Sequence, residues 1–261
     1  MGLTVNTNIE AMDAARNLNS TENMLSTSMQ RLSSGLRINS AADDVAGYAI
    51  SQRLQGQVNG LNQATQNIAD AVSLAQTGQG ALSDVVGMLQ RVRELAVQYA
   101  NGTTSETDKE AIEQETEQLK EEITRVGETT TFNGVKLLEG GASITFQVGA
   151  NEEETVEVKT IELAKAVEGA SITEIKSIDT ALDEVTKAAG EYGSVQNRIQ
   201  YTASNLEVYS QNLSSAVSGI VDVNMATEMT AFTKDQVLQQ AGVAILAQAN
   251  QLPDAVLKLL Q

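Results

Sequence analysis

The run IDTALDEVTKAAGEYGSVQNRIQYTASNLEVYSQNLSSAVSGI, residues 178–220, decides the fold. After the cap candidates Ser177 and Asp179, apolar or small residues recur at Ile178, Leu182, Val185, Ala189, Tyr192, Ile199, Ala203, Leu206, Leu213, Val217 and Ile220, mostly in steps of three or four. That is the heptad-like stripe of a long helix. It resumes at Met225, Met229 and Phe232 and continues through Leu238, Ala241, Ile245, Ala249, Leu252, Val256 and Leu259. Only Gly190, Gly193, Gly219 and Gly242 weaken it before Pro253. A continuous helix from 178 to about 250 would be roughly 110 Å long at ~1.5 Å per residue. A compact globule of this chain length has a radius of gyration of only about 18 Å. The expected chain is a rod.

The first part of the sequence repeats the pattern at Ile9, Met12, Leu18, Leu25, Met29, Leu32 and Leu36. A break follows from Arg37 to Asp44, in which Asp43 and Asp44 read as the cap of a helix beginning near Val45. The stripe then continues at Ile50, Leu54, Leu61, Ile68, Val72, Ala75, Leu82, Val86 and Leu89. Asn101-Gly102 is a turn, and Ser105 with Asp108 opens a third helix through Ile112, Leu119, Ile123 and Val126. Heptads running toward both termini predict antiparallel N- and C-terminal helices packed on each other.

Residues 127–176 change character. Asn133-Gly134 between Thr129–Phe132 and Val135–Leu138 is a strong hairpin signal. Ile144, Phe146 and Val148 alternate with polar residues, as do Val156 and Val158, and Glu152 to Glu154 mark the loop between them. Two or three short strands are expected, with a short helix near 161–168. The fold class is therefore mainly α: a long antiparallel coiled-coil rod carrying a small β-hairpin element.

Composition narrows the function. The 261 residues include no His, no Cys and no Trp, with three Phe and five Tyr. An imidazole base, a thiolate nucleophile, a disulfide and the usual zinc ligands are all excluded. The formal charge of −17 opposes a nucleic-acid partner, whose phosphates require a basic face. That charge is concentrated in residues 43–209. Residues 1–42 hold three acids and three bases, and residues 210–261 four acids and two bases. Near-neutral ends rich in Ala, Leu, Val, Met, Asn and Gln favour burial against something. The longest apolar stretch, Val237 to Leu252, is interrupted by Gln239, Gln240, Gln248, Asn250 and Gln251 and is not a bilayer span. Met1 to Glu10 lacks the basic and apolar blocks of a cleavable secretory signal.

Sites of chemistry are not evident. Glu152 to Glu154, and the run Glu113, Glu115, Glu117, Glu121 and Glu122, lack the ligand spacing and turn glycine of a calcium loop. Gly78-Gln79-Gly80 has neither the preceding strand nor the following Lys of a phosphate loop. No metal, cofactor or catalytic group is expected. The Met- and Ala-rich stripe of the last fifty residues has two readings: a face buried inside a helical hairpin, or a surface that packs against other copies. Residues 236–252 are apolar or amide-bearing on nearly all sides, and one antiparallel partner covers only part of that circumference. Self-association is favoured.

Several stretches carry a family likeness. LSSGLRINSAADD at 32–44, with Gly47, Ala49 and Ile50, resembles the N-terminal signature of bacterial flagellin. LQRVRELAVQ at 89–98, with Ala100-Asn101, and FNGVK at 132–136 are also similar to it. So are QQAG at 239–242, LAQANQ at 246–251, Pro253, Val256-Leu257 and Leu259-Leu260. The likeness spans about the first 140 and the last 85 residues, and this chain resembles a short, core-only member.

The resemblance implies a subunit that is secreted without a cleavable signal peptide and polymerises into the extracellular flagellar filament. Its partners would be further copies of itself, the flagellar cap, junction proteins and an export chaperone. Residues 1–42 with 210–261 would form the inner terminal-helix domain, and 43–209 the outer core domain, its β element at about 129–176. Self-assembly would rest on Ile9, Met12, Leu18, Leu25, Leu32 and Leu36 together with Leu238, Ala241, Ile245, Ala249, Leu252, Val256 and Leu259. Gln90, Arg91, Leu95 and Gln98, with Glu115, match a segment that serves either as an inter-subunit contact or as a ligand surface for an animal Toll-like receptor. Val256, Leu257, Leu259 and Leu260 match the end that chaperones and intracellular sensors bind. Many flagellins carry Arg where this chain has Gly219, so a bend is expected there. The His-Glu-x-x-His motif of peptidase-like flagellins is missing, which opposes an enzyme. The alternatives are a hook–filament junction protein of the same superfamily and a secreted monomeric coiled-coil ligand or adhesin.

Overall fold

The computed structural model describes residues 7–141 and 143–259, with side chains as far as Gln251. In chain order the elements are α1 (Ile9–Ser34), α2 (Val45–Tyr99), α3 (Glu106–Thr129), β1 (Thr131–Phe132), β2 (Val135–Lys136), β3 (Ser143–Gln147), β4 (Thr155–Lys159), α4 (Leu163–Glu168), α5 (Ile175–Val221) and α6 (Met225–Leu259). The fold is mainly α with short antiparallel strand pairs, as the heptads and the Asn133-Gly134 turn imply. The chain divides into two compact units, one of residues 1–55 and 213–261 and a second of residues 56–212.

In the first unit, α1 and α6 run antiparallel. Asn8 Nδ2 donates to the Ala249 carbonyl at 2.7 Å at one end of the pair, and Arg31 faces Glu228 at 4.0 Å toward the other. Asn8 also caps α1, its side-chain oxygen accepting from Ala11 N at 3.0 Å. Gly35 ends the helix with φ 74° and donates to the Arg31 carbonyl at 2.8 Å, the left-handed cap that glycine adopts without steric cost.

The continuous helix expected from 178 to about 250 is instead two helices, interrupted at 222–224. Asn224 explains the restart: its Oδ1 accepts from Ala226 N at 3.1 Å and Thr227 N at 3.2 Å, satisfying amides that the first turn leaves free. Gly219 itself lies within α5, before the break. Across the gap Leu36 pairs with Asp222 in an antiparallel bridge. Arg37 N donates to the Val221 carbonyl at 2.6 Å, and Val223 N to that of Gly35 at 3.0 Å. The two interruptions of the helical pattern thus hydrogen-bond to each other. Backbone groups left over by one helix end satisfy those of the other.

Of the two carboxylates expected as a cap before Val45, Asp44 caps α2, whereas Asp43 closes the loop that precedes it. Asp44 Oδ1 accepts from Gly47 N at 2.9 Å, while Asp43 Oδ2 accepts from Asn39 N, Ser40 N and Ser40 Oγ at 3.1, 2.9 and 3.1 Å. Gly47 sits at a close approach: a Cβ there would stand 2.5 Å from Asp44 Oδ2 and 2.7 Å from the Cδ1 of buried Ile38, so the capping carboxylate and Ile38 would both have to shift.

The second unit holds the larger core. Leu74, Leu82 and Leu89 of α2 pack with Ile178, Val185 and Tyr192 of α5, and Ile123, Leu137, Leu138, Val158 and Leu163 close the cluster. Tyr192 is 2% exposed, and its hydroxyl donates to the Leu137 carbonyl at 3.1 Å. Ser105 opens α3 with a reciprocal capping box to Asp108, as its spacing predicts. Among the described residues four strands form where two or three were expected, in two separate hairpins. Asn133 (φ 48°) and Gly134 (φ 79°) make the two-residue turn joining β1 and β2. β3 and β4 pair from Ser143↔Lys159 to Gln147↔Thr155, and Val156 and Val148 pack on Ile68, Ala71 and Ile199. The Glu152–Glu154 loop is more than a solvated run: Glu154 accepts from Asn151 N and Nδ2, both at 3.0 Å, and so closes the turn.

Candidate functional site

The α1–α6 pair is the part of the chain whose burial pattern is unusual. Its seam is polar and small. Thr21 and Ser28 are the buried residues of α1, and Leu18, Leu25, Leu32 and Leu36 are half-buried beside them. On α6, as far as its side chains are described, the covered positions are Glu228, Ala231, Phe232, Asp235, Gln239, Gly242, Leu246 and Ala249. Four of these, Glu228, Asp235, Gly242 and Ala249, stand seven residues apart, so one heptad position of the seam has no large apolar side chain. Gly242 lets α1 come close: a Cβ there would lie 3.3 Å from Leu18 Cδ1 and 3.8 Å from Leu18 Cβ.

Much of the apolar surface nevertheless faces outward, although Leu18, Leu25, Leu32, Phe232 and Leu246 stay half-buried in the seam. Of the seventeen exposed large apolar side chains among the described residues, ten lie on α1 and α6, including Ile9, Met12, Met29, Val237, Leu238 and Ile245. The stripe Leu238, Ala241 and Ile245, read from the sequence as an assembly face, is exposed. The face turned toward α1 is displaced from it by about one residue, or about 100° around the helix. Counting apolar residues misses that inner face because Asp235, Gln239 and Gly242 belong to it. Ala249 departs from the rest of the stripe and is 6% exposed, beside the Asn8 contact. The expected side-chain roles of Leu252, Val256, Leu257, Leu259 and Leu260 lie outside the described residues.

A second group lies on α2 and α3. Gln90, Arg91, Gln98 and Glu115 are all exposed. The structure brings Arg91 and Glu115 together at 2.9 Å, with Glu94 a further 3.1 Å partner of the guanidinium. These bonds, that to Glu115 foremost, raise the Arg91 pKa above its ordinary value. As exposed pairs they contribute little stability, but they hold the guanidinium in one orientation. Leu95 does not join this surface. It is 2% exposed, because its helical position turns it into the core of its own unit. Neighbouring contacts that the sequence does not reveal are Arg93 to Asp179 at 2.7 Å and Tyr99 Oη donating to Glu113 at 2.8 Å. Neither follows a fixed sequence spacing, so only the packing of the helices brings them to light.

Among the described residues no helix is long and apolar enough to cross a membrane, and no group of three or more His, Cys, Asp or Glu could hold a metal ion.

Paired helices with large exposed apolar outer faces describe a structural protein that associates with further copies. Residues 5–143 match the bacterial flagellin N-terminal helical region, and residues 175–260 match the bacterial flagellin C-terminal helical region. The flagellin of Halalkalibacterium halodurans is 46% identical over 270 residues, covering 98% of this chain and 99% of the relative. The flagellar filament 33 kDa core protein of Treponema phagedenis is 37% identical over 284 residues, covering 98% and 99%. The crystal structure of Bacillus cereus flagellin matches with a TM-score of 0.51 at 32% identity, over 54% of this chain and 88% of that one. The chain belongs to the bacterial flagellin family and is a structural subunit of the flagellar filament.

Proposed function

We propose that copies of this chain join through the outward faces of α1 and α6, and that residues 1–42 and 210–261 supply the interior contacts of the polymer while 43–209 supply its acidic exterior. The observation that supports this reading is the large apolar surface that the α1–α6 pair leaves exposed, with Met12, Met29, Leu238 and Ile245 outside while Thr21, Ser28 and Asp235 take buried positions in the seam. Exposed apolar area of this extent is a cost to a solitary chain and a driving force for association. The role is mechanical, with no catalytic step. Placing charge on the outer face tests it: Leu238→Asp with Ile245→Asp should leave the helical content of the isolated chain unchanged and abolish tubes in negative-stain electron microscopy. Tubes forming at the parent's concentration would refute it.

The family resemblance adds finer proposals. The chain is exported to the cell exterior, with a chaperone holding the end that contains Val256, Leu257, Leu259 and Leu260, and it meets the cap and junction proteins on assembly. The Arg91–Glu115 patch, with Gln90 and Gln98, is the contact for a neighbouring subunit or for an animal Toll-like receptor. Arg91→Ala separates the two. Loss of tubes with receptor signalling intact assigns the patch to assembly, and the converse assigns it to the receptor.

A further inference from the structure

Seven methionines occur in the chain, and their placement is uneven. Met12, Met24, Met29, Met225 and Met229 are between 46% and 60% exposed, and all five lie on α1 or α6. Met88, in α2, is packed against the core of the second unit. Met24, Met29, Met225 and Met229 also fall toward the same end of the antiparallel pair, the end where Arg31 faces Glu228. An unbranched thioether suits an adaptable apolar contact. It is also the apolar side chain most readily made polar by a mild oxidant.

We infer that these five methionines make polymerisation sensitive to peroxide: oxidation of the free chain blocks assembly, and assembly in turn shields the sulfurs. The inference rests on the proposed role of the α1 and α6 outer faces. The step is a two-electron oxidation of the thioether by a peroxide. The O–O bond breaks, an S–O bond forms, and the peroxide leaves as water, so the sulfur is oxidised and the peroxide reduced. The product sulfoxide is a strong acceptor. Buried against a neighbouring copy without a donor, it carries the penalty of an unsatisfied polar group. The isolated chain keeps its fold, because all five methionines are already exposed residues and the buried seam positions Thr21, Ser28 and Asp235 are not methionines.

The test compares the full chain before and after hydrogen peroxide treatment, with mass spectrometry counting sulfoxides at each methionine. The expected result is a rise of about tenfold or more in the critical concentration for polymerisation, the scale of one unsatisfied buried polar group, with helical content unchanged. Methionine sulfoxide reductase with a dithiol should restore the starting value. A variant carrying M12L, M24L, M29L, M225L and M229L keeps Met1 and Met88 and should polymerise equally well with or without peroxide. Preformed polymers should oxidise at these five positions several-fold more slowly than free chains. Equal polymerisation of the fully oxidised parent overturns the inference, as does an equal loss in the leucine variant. Failure of the untreated parent to polymerise, by contrast, overturns the assembly reading itself.

Discussion

The Arg37 guanidinium donates from Nη2 to the Ile220 carbonyl at 2.6 Å, across 183 residues of sequence. The last carbonyls of α5 have no amide ahead of them, and the helix dipole leaves that end negative. Arg37 answers both, its own backbone N–H taking the Val221 carbonyl and its side chain taking the one before. The charged bond is exposed, so Arg37→Ala should cost only about 0.5–1 kcal/mol. Its clearer signature is local. Amide exchange at Val223 in the polymer should accelerate several-fold in Arg37→Ala, because Val223 N donates to Gly35 in the same bridge. Unchanged exchange there would show that backbone pairing alone holds the two interruptions together.

The approach of Leu18 to Gly242 permits a covalent check on the α1–α6 pairing. The chain has no cysteine to compete. A Cβ at position 242 would lie 3.8 Å from Leu18 Cβ, within the usual Cβ separation of about 3.5–4.5 Å for a disulfide. Leu18→Cys with Gly242→Cys should therefore oxidise to an intrachain bond, seen as a mobility shift on a non-reducing gel. The pair Leu18→Cys with Val243→Cys, one residue further round the helix, should not. Equal yields from both would contradict the antiparallel register.

Much of this architecture is legible in the sequence. Helix existence follows from period, the α3 start from Ser105 and Asp108, and the first hairpin from Asn133-Gly134, because each signal acts within a few residues. The assembly surface is legible as a set of residues but not as a face. Leu238, Ala241 and Ile245 form the longest apolar row, whereas the row facing α1 contains Asp235 and Gly242. Hydrophobicity locates such a helix without saying which side a polar partner takes. The interruption at 222–224 is hidden for a related reason. Asn224 is a fair cap in isolation, but its role depends on Arg37 and Gly35, which are remote in sequence. Leu95 shows the reverse case: the family segment is recognisable, yet only packing separates its inward residue from Arg91.

Asp43 should tie the loop before α2 to pH. Bonds from Ser40 N, then Asn39 N, then the Ser40 hydroxyl hold its carboxyl below the ordinary 3.8, with Arg31 adding a weaker pull in the same direction. A folded-state value below the unfolded one means the stabilisation is complete above about pH 4 and is lost as pH falls through the lowered value. Asp43→Asn should remove that dependence. NMR of the Ser40 amide across pH 2 to 6 would record the transition in the parent and its absence in the variant. A transition persisting in Asp43→Asn would overturn the assignment to Asp43.

Tyr192 offers the sharpest test of the second unit. Burial raises its phenol to about 12 from the ordinary 10. The neutral form is therefore favoured by folding. Its contribution is fully present below pH 10 and is lost as pH rises from about 10 through 12. Tyr192→Phe removes one hydrogen bond, but the Leu137 carbonyl keeps the Ile161 amide as a donor at 3.3 Å. The expected loss is about 0.5–1.5 kcal/mol at pH 7, along with disappearance of this alkaline component from the thermal stability profile. Tyr192→Ala empties the space beside Gly78, whose Cβ position is 3.0 Å from the ring, and should cost about 3–5 kcal/mol. If the Phe and Ala variants lost equal stability, the hydroxyl rather than the ring would carry the contact, contrary to its place among the leucines and valines of α2 and α5.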